Sequence, residues 1–95
     1  MFAVIRHYHF DKKDSAEIDR LVQDGFVPLI RKAQGFVRYY WLDTGTGEGA
    51  SLGVFKDKAG ADESVRLAAD FVRTKMAKLL REKPEIIEGP IKAHD

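Results

Sequence analysis

The two stretches that read most clearly as strands carry apolar side chains on both of their faces. Successive strand residues point to opposite sides, so residues 2–10 divide into Ala3, Ile5, His7 and His9 against Phe2, Val4, Arg6, Tyr8 and Phe10. Residues 36–43 divide into Val37, Tyr39 and Trp41 against Phe36, Arg38, Tyr40 and Leu42. An antiparallel sheet with one face in water alternates apolar with polar, and neither stretch does. Helices of the same chain can cover one face of a small sheet. The other would leave on the order of 600–800 Å² bare, the size of a standard interface and more than monomers usually expose. Such strands predict a homodimer formed through the sheet face. The competing reading is that Arg6, Arg38 and the tyrosines keep that face wet.

The rest of the chain supplies the covering layer. Asp14 followed by Glu17 resembles a capping box, and Ile18, Leu21, Val22, Gly25, Phe26, Leu29, Ile30 and Ala33 then recur at the spacing of one helical face. Pro28 inside this pattern removes the bond to the carbonyl of Asp24, which predicts a kink near Gly25. Gln34-Gly35 ends the helix. Thr44 to Glu48 and Gly49 form a glycine-rich hairpin turn into a third strand at about residues 50–56. Asp57 or Asp62 caps a second helix, whose stripe is Val65, Ala68, Ala69, Val72, Met76, Leu79 and Leu80, with Pro84 beyond its end. Residues 86–93 read as a last strand, and Pro90 within it predicts an edge position. The order βαββαβ is the ferredoxin-like α+β plan: a four-stranded antiparallel sheet with both helices on one side, residues 1–95 forming a single domain.

Composition excludes several classes of function. With 16 basic and 15 acidic residues the net charge is +1, too weak a field for nucleic acid or an anionic membrane. No cysteine is present, so disulfides, iron–sulfur clusters and thiolate chemistry fall away. Met1 to Ile5 is apolar but meets Arg6 and His7 at once, too short a run for a leader or a membrane span, which makes the expected compartment cytoplasmic. Gly45, Gly47 and Gly49 lack the lysine and following helix of a phosphate loop.

Phe26-Val27-Pro28-Leu29, the link Gln34-Gly35-Phe36 into an aromatic strand, Val54-Phe55-Lys56-Asp57 leading into Glu63-Ser64-Val65-Arg66, and Glu88-Gly89 near the end together resemble the antibiotic-biosynthesis-monooxygenase-like group of the dimeric α+β barrel superfamily. The resemblance spans nearly the whole chain and reports fold more specifically than chemistry. It implies two sheets packed into a barrel, with a pocket between sheet and helices in each subunit. Activities in the group include cofactor-independent oxidation of quinol-like aromatics, haem breakdown and isomerisation. The haem-degrading branch carries an Asn-Trp-His constellation; this chain has no asparagine and its second helix has no histidine.

By the same analogy His7 and His9, two apart on one strand face, point into the pocket, where a histidine near neutrality can take a proton from a phenol or enol and leave an anion that reacts with dioxygen. The alternative is a pair of partly buried histidines bonded to backbone or carboxylates. No metal is expected: two imidazoles need a third ligand, and no HxxxH or His-plus-carboxylate spacing supplies one. Nor is any cofactor expected. Tyr39 and Trp41 are candidates for lining an aromatic pocket, although such residues are more often core, and Phe71 and Met76 read as its walls or as ordinary packing. Two functions remain: a cofactor-independent monooxygenase-like protein acting on an aromatic or quinol-type substrate, or a non-catalytic dimeric ligand-binding or stress-response module.

Overall fold

A computed structural model describes the chain from Met1 to Asp95. Strand β1 (Phe2–His9) leads through a 3₁₀ turn at Lys12–Asp14 into helix α1 (Ser15–Leu21), a π-helical turn at Val22–Phe26 and helix α2 (Val27–Ile30). The hairpin of β2 (Phe36–Asp43) and β3 (Glu48–Phe55) follows, then α3 (Lys58–Phe71), a second π turn at Val72–Met76, and β4 (Glu85–Pro90). The strands lie in the order β2-β3-β1-β4 with every pair antiparallel, the expected ferredoxin-like plan. Pro90 sits on the edge strand, where its missing N–H breaks no ladder.

Pro28 accounts for the shape of the first helical run. Its ring nitrogen has no hydrogen to give Asp24, so the turn upstream widens: the N–H of Val27 reaches the carbonyl of Val22, five residues back. The kink expected near Gly25 is this turn. The capping box is not made, since the Asp14 side chain caps nothing. Asp11 caps the preceding 3₁₀ turn instead, accepting from the Lys13 N–H at 3.0 Å. Asp57 caps α3 through the Gly60 N–H at 3.0 Å.

The core lies between the helices and one sheet face. Ile18, Val22, Phe26, Ile30 and Ala33 from the first run, and Ala61, Ala68, Phe71 and Met76 from the second, close over Val4, Tyr8, Phe10 and Phe55. The faces of β1 are therefore reversed from the expectation drawn by analogy. Phe2, Val4, Arg6, Tyr8 and Phe10 look toward the helices, while Ala3, Ile5, His7 and His9 look away. The cause is area. The first set holds two phenylalanines, a tyrosine and a valine against one isoleucine and one alanine, so burying it removes more apolar surface from water, and Arg6 goes with it. Strand β2 corrects its own alternation through a bulge at Val37. Phe36 pairs with Phe55 and Arg38 with Val54, which turns Phe36 inward onto the Phe55 ring, beside Tyr39 and Trp41.

Candidate functional site

A polar cluster crosses the inner face of the sheet. Arg6 on β1 is cross-strand neighbour to Ser51 on β3 and Ile86 on β4, and Ser51 neighbours Trp41 on β2. Arg6 is only 6% exposed, its Nε donates to the Tyr8 hydroxyl at 2.8 Å, and its Nη1 is buried with no acceptor in the protein. None of the chain's ion pairs includes it. A buried guanidinium without a carboxylate is costly, and a single hydroxyl offsets little of that cost. Burial pushes the Tyr39 phenol well above its ordinary value, although Ser51 and the positive charge of Arg6 pull the other way. Tyr39 is thus a neutral donor beside a cation.

Arg6 is also the floor of a cleft. The space between the end of the second helical run and the start of β4 is lined by Ala69, Val72, Ala77, Leu80, Pro84 and Ile86, with Arg73, Glu82 and Lys83 at its charged margin. It measures about 640 Å³, a volume suited to a small ligand. The π turn at Val72–Met76 shapes its wall: the Thr74 hydroxyl bonds back to the carbonyl of Asp70 at 2.9 Å, and the backbone bulges there. Arg6 also lines a separate space of about 10 Å³ with Tyr39, Ser51, Ser64 and Ala68, room for one water.

The residues singled out from sequence separate into four places. Tyr39 belongs to the buried cluster, its ring 5.4 Å from that of Phe26. Phe71 and Met76 pack in the core around a void of about 10 Å³ with Tyr8, Phe26 and Tyr39, and do not line the cleft. Trp41 lies across β3, edge-on to Tyr8 at 5.3 Å, and its indole N–H donates to Asp19 at 2.9 Å. His7 and His9 sit on the opposite side of the sheet from Arg6, so the expectation that they face the pocket under the helices is overturned. Their rings stand 4.4 Å apart, each beside carboxylates. Sequence reasoning missed Arg6 as a site residue. The available signal was one charged side chain inside the bulkier of the two faces of β1.

No family model and no curated protein matches the sequence. Among solved structures the chain is similar to NE2512, a protein of unknown function from Nitrosomonas europaea, at 20% identity and a TM-score of 0.84, covering 99% of this chain and 91% of that one. It is similar to the ActVA-Orf6 monooxygenase of Streptomyces coelicolor in complex with nanaomycin D, at 13% identity and a TM-score of 0.79, covering 99% and 89%. A putative antibiotic biosynthesis monooxygenase from Bordetella bronchiseptica aligns at 14% identity and a TM-score of 0.78, covering 97% of each chain. At these identities the likeness is one of architecture: the chain has the fold of the antibiotic biosynthesis monooxygenases.

Proposed function

We propose that the protein binds a small aromatic molecule carrying an acidic oxygen, a phenol, quinol or carboxylate, in the cleft between the second helical run and β4, with that oxygen on Arg6. The observation that carries this is Arg6, which lines the cleft with its guanidinium buried, without a carboxylate, and with an Nη1 that has no acceptor in the protein. An anionic oxygen would supply its missing partner as a charge-assisted hydrogen bond, and the apolar walls would take the ring. The same contact lowers the pKa of a bound quinol. A quinol anion is the form able to give electrons to dioxygen without a cofactor, one oxygen atom entering the product and the other leaving as water. Oxidation of a quinol-type ligand is therefore the reaction this site supports, and the likeness to monooxygenase structures agrees with it.

One observation favours the non-catalytic alternative: neither histidine lines the cleft, so the cleft holds no imidazole base. In either reading two copies pair through the open sheet face. Thermal shift and calorimetry with a panel of hydroquinones and aromatic acids, followed by oxygen uptake under air, test the proposal. Wild type should bind at least one member, and Arg6→Met should weaken it by about tenfold or more, the worth of a charged hydrogen bond, without loss of fold. Binding that ignores Arg6→Met overturns the site; binding without oxygen uptake selects the non-catalytic module.

A further inference from the structure

On the other side of the sheet, at the end of β1 nearest the hairpin, the fold brings together ligands that lie 41 residues apart in sequence. His9 is the direct cross-strand partner of Glu48. His7, two residues earlier on the same face, places its Nε2 2.9 Å from Glu48 Oε1. One donor atom from each of His7, His9 and Glu48 lies within 4.8 Å of the others. The three side chains are half-buried and converge from two adjacent strands, where the backbone ladder fixes their bases. We infer that His7, His9 and Glu48 form a binding site for a divalent transition ion of the zinc class.

Two imidazoles and one carboxylate are a ligand set for such ions, with at least one coordination position left for solvent or a further carboxylate. Donors of a tetrahedral zinc site stand roughly 3.3 Å apart, given metal–ligand bonds of about 2.0–2.1 Å. His7 Nε2 and Glu48 Oε1, 2.9 Å apart, already stand near that spacing, and the Glu48 side chain, 46% exposed, has room to adjust. A second observation points the same way. The other ring nitrogen of His7, Nδ1, faces Glu85 Oε1 at 3.3 Å. That is the carboxylate–imidazole–metal relay which holds a ligating histidine in the right tautomer and raises its basicity. His9 Nε2 has Glu82 and Glu85 each at 3.6 Å, so three carboxylates surround two imidazoles and their field favours a dication. The site lies on the face opposite the Arg6 cleft and stands whether or not that cleft binds anything.

The test is calorimetric titration of zinc chloride into the untagged, chelator-stripped full chain, with nickel in parallel. One zinc per chain is expected. His9→Ala and Glu48→Gln should each weaken it by about a hundredfold or more and Glu85→Gln by about tenfold, the lower end of what an outer carboxylate contributes. His94→Ala, in the exposed C-terminal segment, should leave affinity unchanged. No zinc binding, affinity untouched by His9→Ala or by Glu48→Gln, or affinity that follows His94 overturns the inference. X-ray absorption at the zinc edge of loaded wild type needs no variant: two imidazoles with oxygen in the shell support the site, and a shell lacking imidazole overturns it.

Discussion

Asp19 and Asp43 approach one another beneath Trp41, and their chemistry turns on a single proton. The Asp19 carboxylate accepts the indole N–H at 2.9 Å, yet burial above all, and the neighbouring Asp43 next, push its pKa above the ordinary carboxylate value. Asp43 also keeps one buried oxygen without a partner. A raised folded-state pKa means the folded chain holds this proton more tightly than the unfolded one. The resulting stability is present below the unfolded pKa and is lost as pH rises through the folded value. At neutral pH the ionised pair therefore costs stability. Asp19→Asn keeps an acceptor for Trp41 and gives Asp43 a donor, so its melting temperature at pH 7 should exceed that of wild type by on the order of 2 °C after solvent screening. The gain should vanish below about pH 4, where Asp19 is protonated in both states. Melts at the two pH values check this, and an asparagine variant less stable at pH 7 would contradict it. At this scale the sequence was only partly legible. The polar residues of β1 stood out, but which face carried the site depended on comparing the areas of its two faces. By that measure Arg6 belongs inside and His7 outside.

The elements themselves were easier to read, because periodicity and capping act locally. The first helical run, the Pro28 kink, the Asp57 cap and the edge position of Pro90 all follow from rules that need only a few neighbouring residues. What escaped were features set by pairing. The bulge at Val37 depends on what β3 places opposite, and the π turn at Val72–Met76 has no proline to announce it. Glu48 became a neighbour of His9 only through a register that no spacing within one segment encodes. The clearest case is Gly49 in β3. Trp41 lies flat across it, and a Cβ built there would stand 2.5 Å from the indole ring and 3.2 Å from the Leu42 carbonyl. A side chain must displace the tryptophan that bridges Tyr8 and Asp19. Gly49→Ala should therefore cost on the order of 1–3 kcal/mol in chemical denaturation, the usual penalty for overpacking. Gly89→Ala on β4, where a Cβ meets nothing within 4 Å, should change stability by no more than about 0.5 kcal/mol. Equal effects at the two glycines would show that strand propensity, not the indole, sets the cost.

For the whole molecule the open face of the sheet decides most. Ile87, Ile5, Leu52 and Tyr40 form one row across all four strands, and Leu42 begins the next. Ile87 is 71% exposed, Leu42 57% and Tyr40 54%. Arg6, which on a sequence reading could have kept this face wet, lies on the other side, leaving Arg38 and the histidine–glutamate cluster as its polar groups. Covering such a face in a pair of chains removes enough apolar area for a gross gain of more than about 10 kcal/mol, from which the entropy of association must be subtracted. Chain mass is 10.8 kDa, so light scattering at micromolar concentration should report about twice that value. Leu52→Asp places a charge in the middle of the row, where a face-to-face partner would have to desolvate it, and should return the mass of a single chain with the fold intact. The half-buried Leu52 makes this variant informative, since inside one chain its carboxylate still reaches water at the sheet surface. A wild-type mass of one chain would mean that the row is tolerated in water. A dimer unchanged by Leu52→Asp would place the contact elsewhere, most plainly along the free edges of β2 and β4.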